Sequence, residues 1–157
     1  DMQLETFNQL ASSQARLVLQ ACVHIPTWIS ELIQKRPSSL KSGDSIMAGI
    51  STHILSASLG EPVTQVLVKL FEETSHGYIL IDEQFTDADG RIQAFNVDSF
   101  IRGHYQLVVE VGDYFQALNT NSFYPRVCID FKVNDIHQHF HVPLLISPFS
   151  YSTYRGS

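Results

Sequence analysis

Residues 105–133 read YQLVVEVGDYFQALNTNSFYPRVCIDFKV. At the head of this stretch Tyr105, Leu107, Val109 and Val111 alternate with Gln106, Val108 and Glu110. At its end Val127, Ile129, Phe131 and Val133 alternate with Arg126, Cys128, Asp130 and Lys132. Successive side chains of a strand point to opposite faces, so this alternation predicts two half-buried strands. Gly112 to Asn119 between them reads as one short helix.

The same period continues outward in both directions. Ile50 to Ser56 is a strand candidate, and Val66, Val68 and Leu70 alternate with Gln65, Leu67 and Lys69 in another. Tyr78 to Phe85 is a third, followed by the turn sequence Thr86-Asp87-Ala88-Asp89-Gly90. Downstream, His139 to Ile146 is the last long strand. Six or seven strands with turn signals between them argue a β-sandwich over roughly residues 48–157.

Before residue 40 the pattern is helical instead. Ser12 and Ser13 suit a cap for a helix carrying Leu17, Val18, Ala21 and Cys22 at helical spacing. Pro26 suits the first turn of a second helix with Trp28, Ile29, Leu32 and Ile33 on one face, and Pro37 stops it. Residues 38–49, rich in Ser and Gly, read as a linker. The expected chain is thus mainly β: a two-sheet sandwich with one short helix over residues 50–157, preceded by a small helical segment at 1–37.

Of the 157 residues, 44% are hydrophobic and 17% charged, which suits a packed core. The net charge is −6 with no basic stripe, which argues against nucleic acid. An anionic ligand would need local cations. Two cysteines, Cys22 and Cys128, cannot build a disulfide framework and read as small buried hydrophobes in a reducing compartment. No apolar run approaches the roughly 18 residues of a membrane span, and Asp1 to Gln9 lack the order of a signal peptide.

Several residues invite chemistry. His53 lies mid-strand on a face shared with Ser51 and Leu55, where its ordinary role is structural. His137, His139 and His141 alternate, so a strand through all three would carry them on one face. Such a set suits Zn²⁺ with an open position for water, although no Cys or carboxylate is fixed nearby by spacing. Arg91 follows the tight turn at Gly90, and its planar fork suits an anionic or imide-like ligand unless Asp87 or Asp89 pairs with it. The chain stops on Tyr154-Arg155-Gly156-Ser157 directly after an apolar strand. A mobile tail is the ordinary expectation there, but Phe149, Tyr151 and Tyr154 favour packing. There is no phosphate-binding glycine loop and no nucleophile elbow.

Taken together, STHIL at 51–55, Gly60 and Pro62, TDADGR at 86–91, Gly103-His104-Tyr105, Ser122-Phe123-Tyr124-Pro125 and HFHVPLLISPFSYSTYRGS at 139–157 resemble the transthyretin-like family, in its hydroxyisourate hydrolase branch. The YRGS ending is the part that separates that branch from the hormone carrier on the same fold. The resemblance implies two four-stranded sheets, a homotetramer with sites in a channel across the subunit interface, and cofactor-free, metal-free opening of 5-hydroxyisourate by water. The product would be 2-oxo-4-hydroxy-4-carboxy-5-ureidoimidazoline. It implies His53 and His141 as catalytic histidines and Arg91 as the group that binds and polarises the substrate. Tyr154 and Ser157 would complete the pocket, leaving His139 a bystander. Ser56 stands where the family more often has Asp. The alternatives are a transthyretin-like carrier of aromatic ligands and a zinc hydrolase. The family occurs in cytoplasm, peroxisomes and periplasm; a cytoplasmic location is expected here, with the peroxisome as the alternative. FNQL at 7–10, Arg16, Leu19, Cys22, Pro26, Trp28 and Arg36-Pro37 are similar to the opening helices of the ureidoimidazoline decarboxylases. That similarity ends near Pro37, before the family's catalytic motif, so no decarboxylation is expected.

Overall fold

The computed structural model describes residues 48–157. The helical segment and most of the linker expected from the sequence lie outside them. The elements in order are β1 (Gly49–Ser56), β2 (Glu61–Pro62), β3 (Leu67–Thr74), β4 (Gly77–Phe85), β5 (Arg91–Ile92), β6 (Gly103–Val109), α1 (Val111–Ala117), β7 (Val127–Val133), β8 (His139–Ser147) and β9 (Ser150–Thr153). One sheet runs β4-β3-β6-β7, and every pairing in it is antiparallel. The other runs β2-β1-β8-β9, with β5 also paired to β1. It therefore has five strands rather than the four implied by the resemblance, because Glu61–Pro62 pairs with Leu55 and Ser56.

The alternation in the sequence becomes the division between core and surface. Ile50 and Ile54 of β1, Val68 and Leu70 of β3, and Tyr105, Leu107 and Val109 of β6 join one buried cluster. Val127, Ile129 and Val133 of β7 and Phe140, Val142, Leu144 and Ile146 of β8 complete it. Each such side chain contributes about 1.5–3 kcal/mol on leaving water, and this burial holds the two sheets together. The Tyr105 phenol is satisfied inside the core. It donates to the Ile101 carbonyl at 3.1 Å and accepts from the Ile101 N–H at 3.3 Å.

β1 and β8 pair in parallel from Gly49 opposite His139 to Ser56 opposite Ile146. The buried Thr52 hydroxyl donates to the Val142 carbonyl at 2.7 Å across this pairing. A slip of one residue would strand that hydroxyl and turn the histidines of β8 into the core, so the register is strongly specified.

Several expectations are corrected. Val111 opens the helix instead of ending a strand, and the helix stops at Ala117. Asn119 has φ +51°, a left-handed conformation that no helix continues through. His137 sits in the turn before β8, where its N–H donates to Asp135 Oδ1 at 3.0 Å. Cys128 is exposed, because its neighbours Val127 and Ile129 take the inward face of β7.

Candidate active site on the outer face of the five-stranded sheet

Because Ile50, Thr52 and Ile54 point inward, Gly49, Ser51, His53 and Leu55 line the outer face of β1. On β8 the outward set is His139, His141, Pro143 and Leu145. The register places Ser51 beside His141 and His53 beside Pro143, while β5 places Arg91 on the other side of His53. Arg91, His53 and His141 therefore share one face of one sheet, although they come from three separate strands.

The turn before β5 explains where Arg91 sits. Asp87 Oδ1 accepts from the N–H groups of Asp89 at 2.9 Å and Arg91 at 2.8 Å. Gly90 takes φ +71°, and a Cβ on it would stand 2.5 Å from the Ile54 carbonyl oxygen. Only glycine allows the turn to press this closely against β1. The Asp87 carboxylate is spent on the turn backbone, and among the described residues Arg91 forms no ion pair with Asp87 or Asp89. The solvated pair that would have explained the arginine away is absent there.

His53 is half-buried. Burial is the main reason its imidazole is pushed down from 6.5 to about 4, with the Arg91 guanidinium second. A hydrogen bond to the Asp89 backbone and the charges of Asp87 and Asp89 oppose the shift without cancelling it. His53 is therefore neutral at neutral pH. A ring nitrogen that donates to the Asp89 carbonyl leaves the other with its lone pair.

The C-terminus folds back, but through backbone pairing, since Phe149 and Tyr154, expected to pack, stay exposed. β9 pairs antiparallel with β8, and Thr153 Oγ1 donates to the Pro143 carbonyl at 2.7 Å. Beyond it Gly156 bridges His141, its N–H reaching the His141 carbonyl at 2.8 Å. A Cβ on Gly156 would lie 2.5 Å from His141 Cδ2, so the chain end rests on the imidazole itself. Arg155 Nη2 donates to Gln138 Oε1 at 2.8 Å, and its guanidinium stands 5.2 Å from the centre of the Phe140 ring. Tyr154 and Ser157 are held on either side of these anchors. A cavity of about 310 Å³ opens beside the tail, lined in part by His141, Tyr154 and Arg155. Its lining includes neither His53 nor Arg91.

Two residues take places that sequence reasoning did not give them. Ser51 Oγ lies 2.6 Å from His139 Nε2 and 2.8 Å from His141 Nδ1. His139 is thus tied to His141 through one hydroxyl. The available signal was the shared face of Ser51 and His53, but nothing local brings β8 alongside. Ser56, the departure from the family pattern, instead accepts from the Leu59 N–H at 3.2 Å and shapes the turn after β1. With His137 off the strand, the three-histidine zinc set does not assemble. Among the described residues no group of three His, Cys, Asp or Glu side chains is placed to hold a metal ion.

The family described as HIUase/Transthyretin matches residues 50–156. A 5-hydroxyisourate hydrolase of Salmonella dublin is 34% identical over 134 residues, covering 85% of this chain and 96% of the relative. Among solved structures, the 5-hydroxyisourate hydrolase of Klebsiella pneumoniae is 40% identical with a TM-score of 0.62, covering 69% of this chain and 98% of that one. A transthyretin from Sparus aurata is 28% identical with a TM-score of 0.65, covering 69% of this chain and 97% of that one.

Proposed function

Because the chain belongs to the HIUase/Transthyretin family, we propose that it hydrolyses 5-hydroxyisourate to 2-oxo-4-hydroxy-4-carboxy-5-ureidoimidazoline, a step of urate degradation. The observation that carries this reading is the outer face that gathers Arg91, His53 and His141, with the chain end resting on His141. Support also comes from the higher identity to the hydrolase structure, 40%, than to the carrier structure, 28%.

Ring opening of a cyclic amide needs a base for water, stabilisation of the developing oxyanion, and orientation. Water attacks the ring carbonyl carbon and loses a proton to a base. The carbonyl oxygen becomes negative, the C–N bond then breaks, and the leaving nitrogen takes a proton. Arg91 is the cation on this face and is assigned to the substrate oxygen. A group held neutral down to about pH 4 is a weak proton acceptor, so His53 is assigned to orienting water and substrate. His141 is assigned the proton transfer. Tyr154 and Ser157 wall the pocket from the tail side. This scheme draws on no cofactor.

Within one chain the face lies open, with Tyr151 and Tyr154 exposed beside it. Water exclusion strengthens every charge interaction in such a site. We therefore assign its cover to further copies of the chain in a homotetramer, with the sites in a channel at the interface. On the same reading, residues 1–37 are a decarboxylase-like segment joined by the 38–49 linker to the hydrolase domain at 50–157, and the chain does not decarboxylate the ureidoimidazoline.

The test follows the absorbance of freshly generated 5-hydroxyisourate. The chain accelerates its decay, and His53→Ala, His141→Ala or deletion of Ser157 abolishes the acceleration. Equal rates for all three variants and the intact chain would refute the assignment. Iodothyronine binding without hydrolysis would favour the carrier instead.

A further inference from the structure

We propose that Asp87 is a positioning residue for the proposed active site: through one carboxylate oxygen it fixes the turn that presents both the Arg91 guanidinium and the Asp89 carbonyl to His53. The kinetic part of this inference rests on the hydrolase reading; the effect on the His53 ring does not.

β1 supplies His53, but two groups that act on its ring come from a different part of the chain. Arg91 stands opposite His53 in the pairing of β1 with β5, and its charge is felt by the imidazole. The Asp89 backbone bonds to the same ring. Both groups are delivered by the turn from Asp87 to Arg91.

That turn closes on one residue. Asp87 Oδ1 accepts from the Asp89 N–H at 2.9 Å and from the Arg91 N–H at 2.8 Å. The Asp87 N–H donates to the Arg91 carbonyl at 2.9 Å, and the Asp87 carbonyl accepts from the Gly90 N–H at 3.0 Å. Both backbone polar groups of Arg91 therefore meet Asp87. Bonds to an ionised carboxylate are roughly twice as strong as bonds between neutral groups, which suits an anchor in contact with water.

The other end of the turn is held differently. The Gly90 carbonyl accepts from the Ile54 N–H at 2.8 Å. A Cβ on Gly90 would stand 2.5 Å from the Ile54 carbonyl oxygen and 3.0 Å from the Val63 nitrogen. Gly90 is thus buried against β1, whereas Asp87, Ala88 and Asp89 are exposed. Packing does not fix that exposed half, so its hydrogen bonds must. Without an acceptor at Asp87 the freed N–H groups turn to water, and the exposed half loses its single conformation. The Asp89 carbonyl and the root of Arg91 move with it. A misplacement of about 1 Å is enough to cost a reaction on the order of 10²-fold.

Two roles for this aspartate lead to opposite expectations. A counter-charge for Arg91 would need its charge, but among the described residues no ion pair joins the two side chains. An anchor needs an oxygen at the Oδ1 position and does not need the charge. Asparagine supplies that oxygen without the charge. Glutamate supplies the charge on a longer arm and misplaces the oxygen.

The test crosses these two properties in the full chain. With no substrate present, nitrogen-15 NMR of histidine-labelled protein shows His53 as one neutral tautomer. Asp87→Glu and Asp87→Ala move its nitrogens toward the averaged tautomers of a free imidazole, and Asp87→Asn leaves them in place. His53 signals that do not respond to Asp87→Glu overturn the proposal, whether or not the chain hydrolyses anything. In the hydroxyisourate assay Asp87→Glu and Asp87→Ala each lower kcat/KM by about tenfold or more, and Asp87→Asn keeps most of it. Full kcat/KM in Asp87→Glu, or a loss in Asp87→Asn as deep as in Asp87→Glu, overturns the proposal as well. The Asn and Glu forms decide the matter even if Asp87→Ala folds poorly. Absence of hydrolysis in every form, the unaltered chain included, with the His53 response present, would instead sink the hydrolase reading and leave Asp87 as the residue that sets the His53 ring.

Discussion

Strand β8 sends Phe140, Val142, Leu144 and Ile146 into the core and His139 and His141 to the outer face. The inner set is held by shape and burial, so what matters there is volume. The outer set is held by hydrogen bonds to Ser51 and by the chain end at Gly156, so what matters is which atom donates and which accepts. On the proposed assignment, stability and chemistry lie on opposite sides of one strand, and substitutions on the two sides separate them.

The largest contrast pairs His141→Ala with Leu144→Ala. The first lowers hydrolysis by about 10²–10⁴-fold and changes the unfolding free energy little. The second empties a fully buried site and costs about 2–5 kcal/mol in a denaturant titration, while the molecules still folded keep their turnover. If Leu144→Ala cut kcat as deeply as His141→Ala, the separation would not hold.

Gly156→Ala comes next, because it tests whether the tail positions the ring. The added methyl would meet His141 Cδ2 at 2.5 Å and Cγ at 3.1 Å, so either the imidazole or the chain end must shift and their contact is broken. Hydrolysis falls on the order of 10²-fold, as a misplaced catalytic group requires, with the melting transition nearly unmoved. A short extension after Ser157 acts in the same direction. Full activity in both forms would show that the tail lies on the site without shaping it.

A smaller effect belongs to His53. Its folded-state midpoint is about 4 against 6.5 for an unburied ring. Between those pH values the unfolded chain binds a proton that the folded chain refuses. The stability this group contributes is therefore complete above about pH 6.5 and is lost as pH falls through the window toward 4. Arg91→Met removes the nearby cation and moves the His53 midpoint upward, yet leaves it below 6.5, since burial is the larger cause. A proton NMR titration of both forms reads this directly. An unmoved midpoint would mean that Arg91 does not act on His53.

The smallest effect is on the inner side. The Thr86 hydroxyl donates to the Val63 carbonyl at 2.7 Å and accepts from the Val66 N–H at 3.0 Å. Thr86→Val leaves both groups without this partner and costs about 1–3 kcal/mol in thermal unfolding, with hydrolysis per folded molecule retained. Loss of activity beyond loss of folded protein would tie that turn to the site after all.

Much of this division is legible in the sequence at specific residues. Tyr105, Leu107 and Val109, or Val127, Ile129 and Val133, reveal an inward face because period two is a local property of the chain. The two-residue strands β2 and β5 are not legible, since so short a pairing exists only because β1 lies alongside. β9 is hidden too: Ser150–Thr153 has no apolar alternation, and its pairing with β8 makes it a strand. The expected three-histidine face failed at His137 because the strand starts two residues later, after a turn held by Asp135.

The sequence by itself determined that this chain builds a sandwich. It also singled out His53, Arg91, His141, Tyr154 and Ser157 as the residues to watch. Local spacing is enough for the sandwich, whereas that set of residues rests on the resemblance of the motifs at 51–55, 86–91 and 139–157 to the transthyretin-like family. Only the tertiary structure decided that Ser51 joins His139 and His141, that Gly156 lies against the His141 ring, and that His53 is half-buried beside Arg91 and stays neutral. The contacts of Ser51 span 88 and 90 residues of chain, and their partners are set by the parallel register of β1 on β8. That register is chosen by the whole core, where no single stretch of sequence can display it.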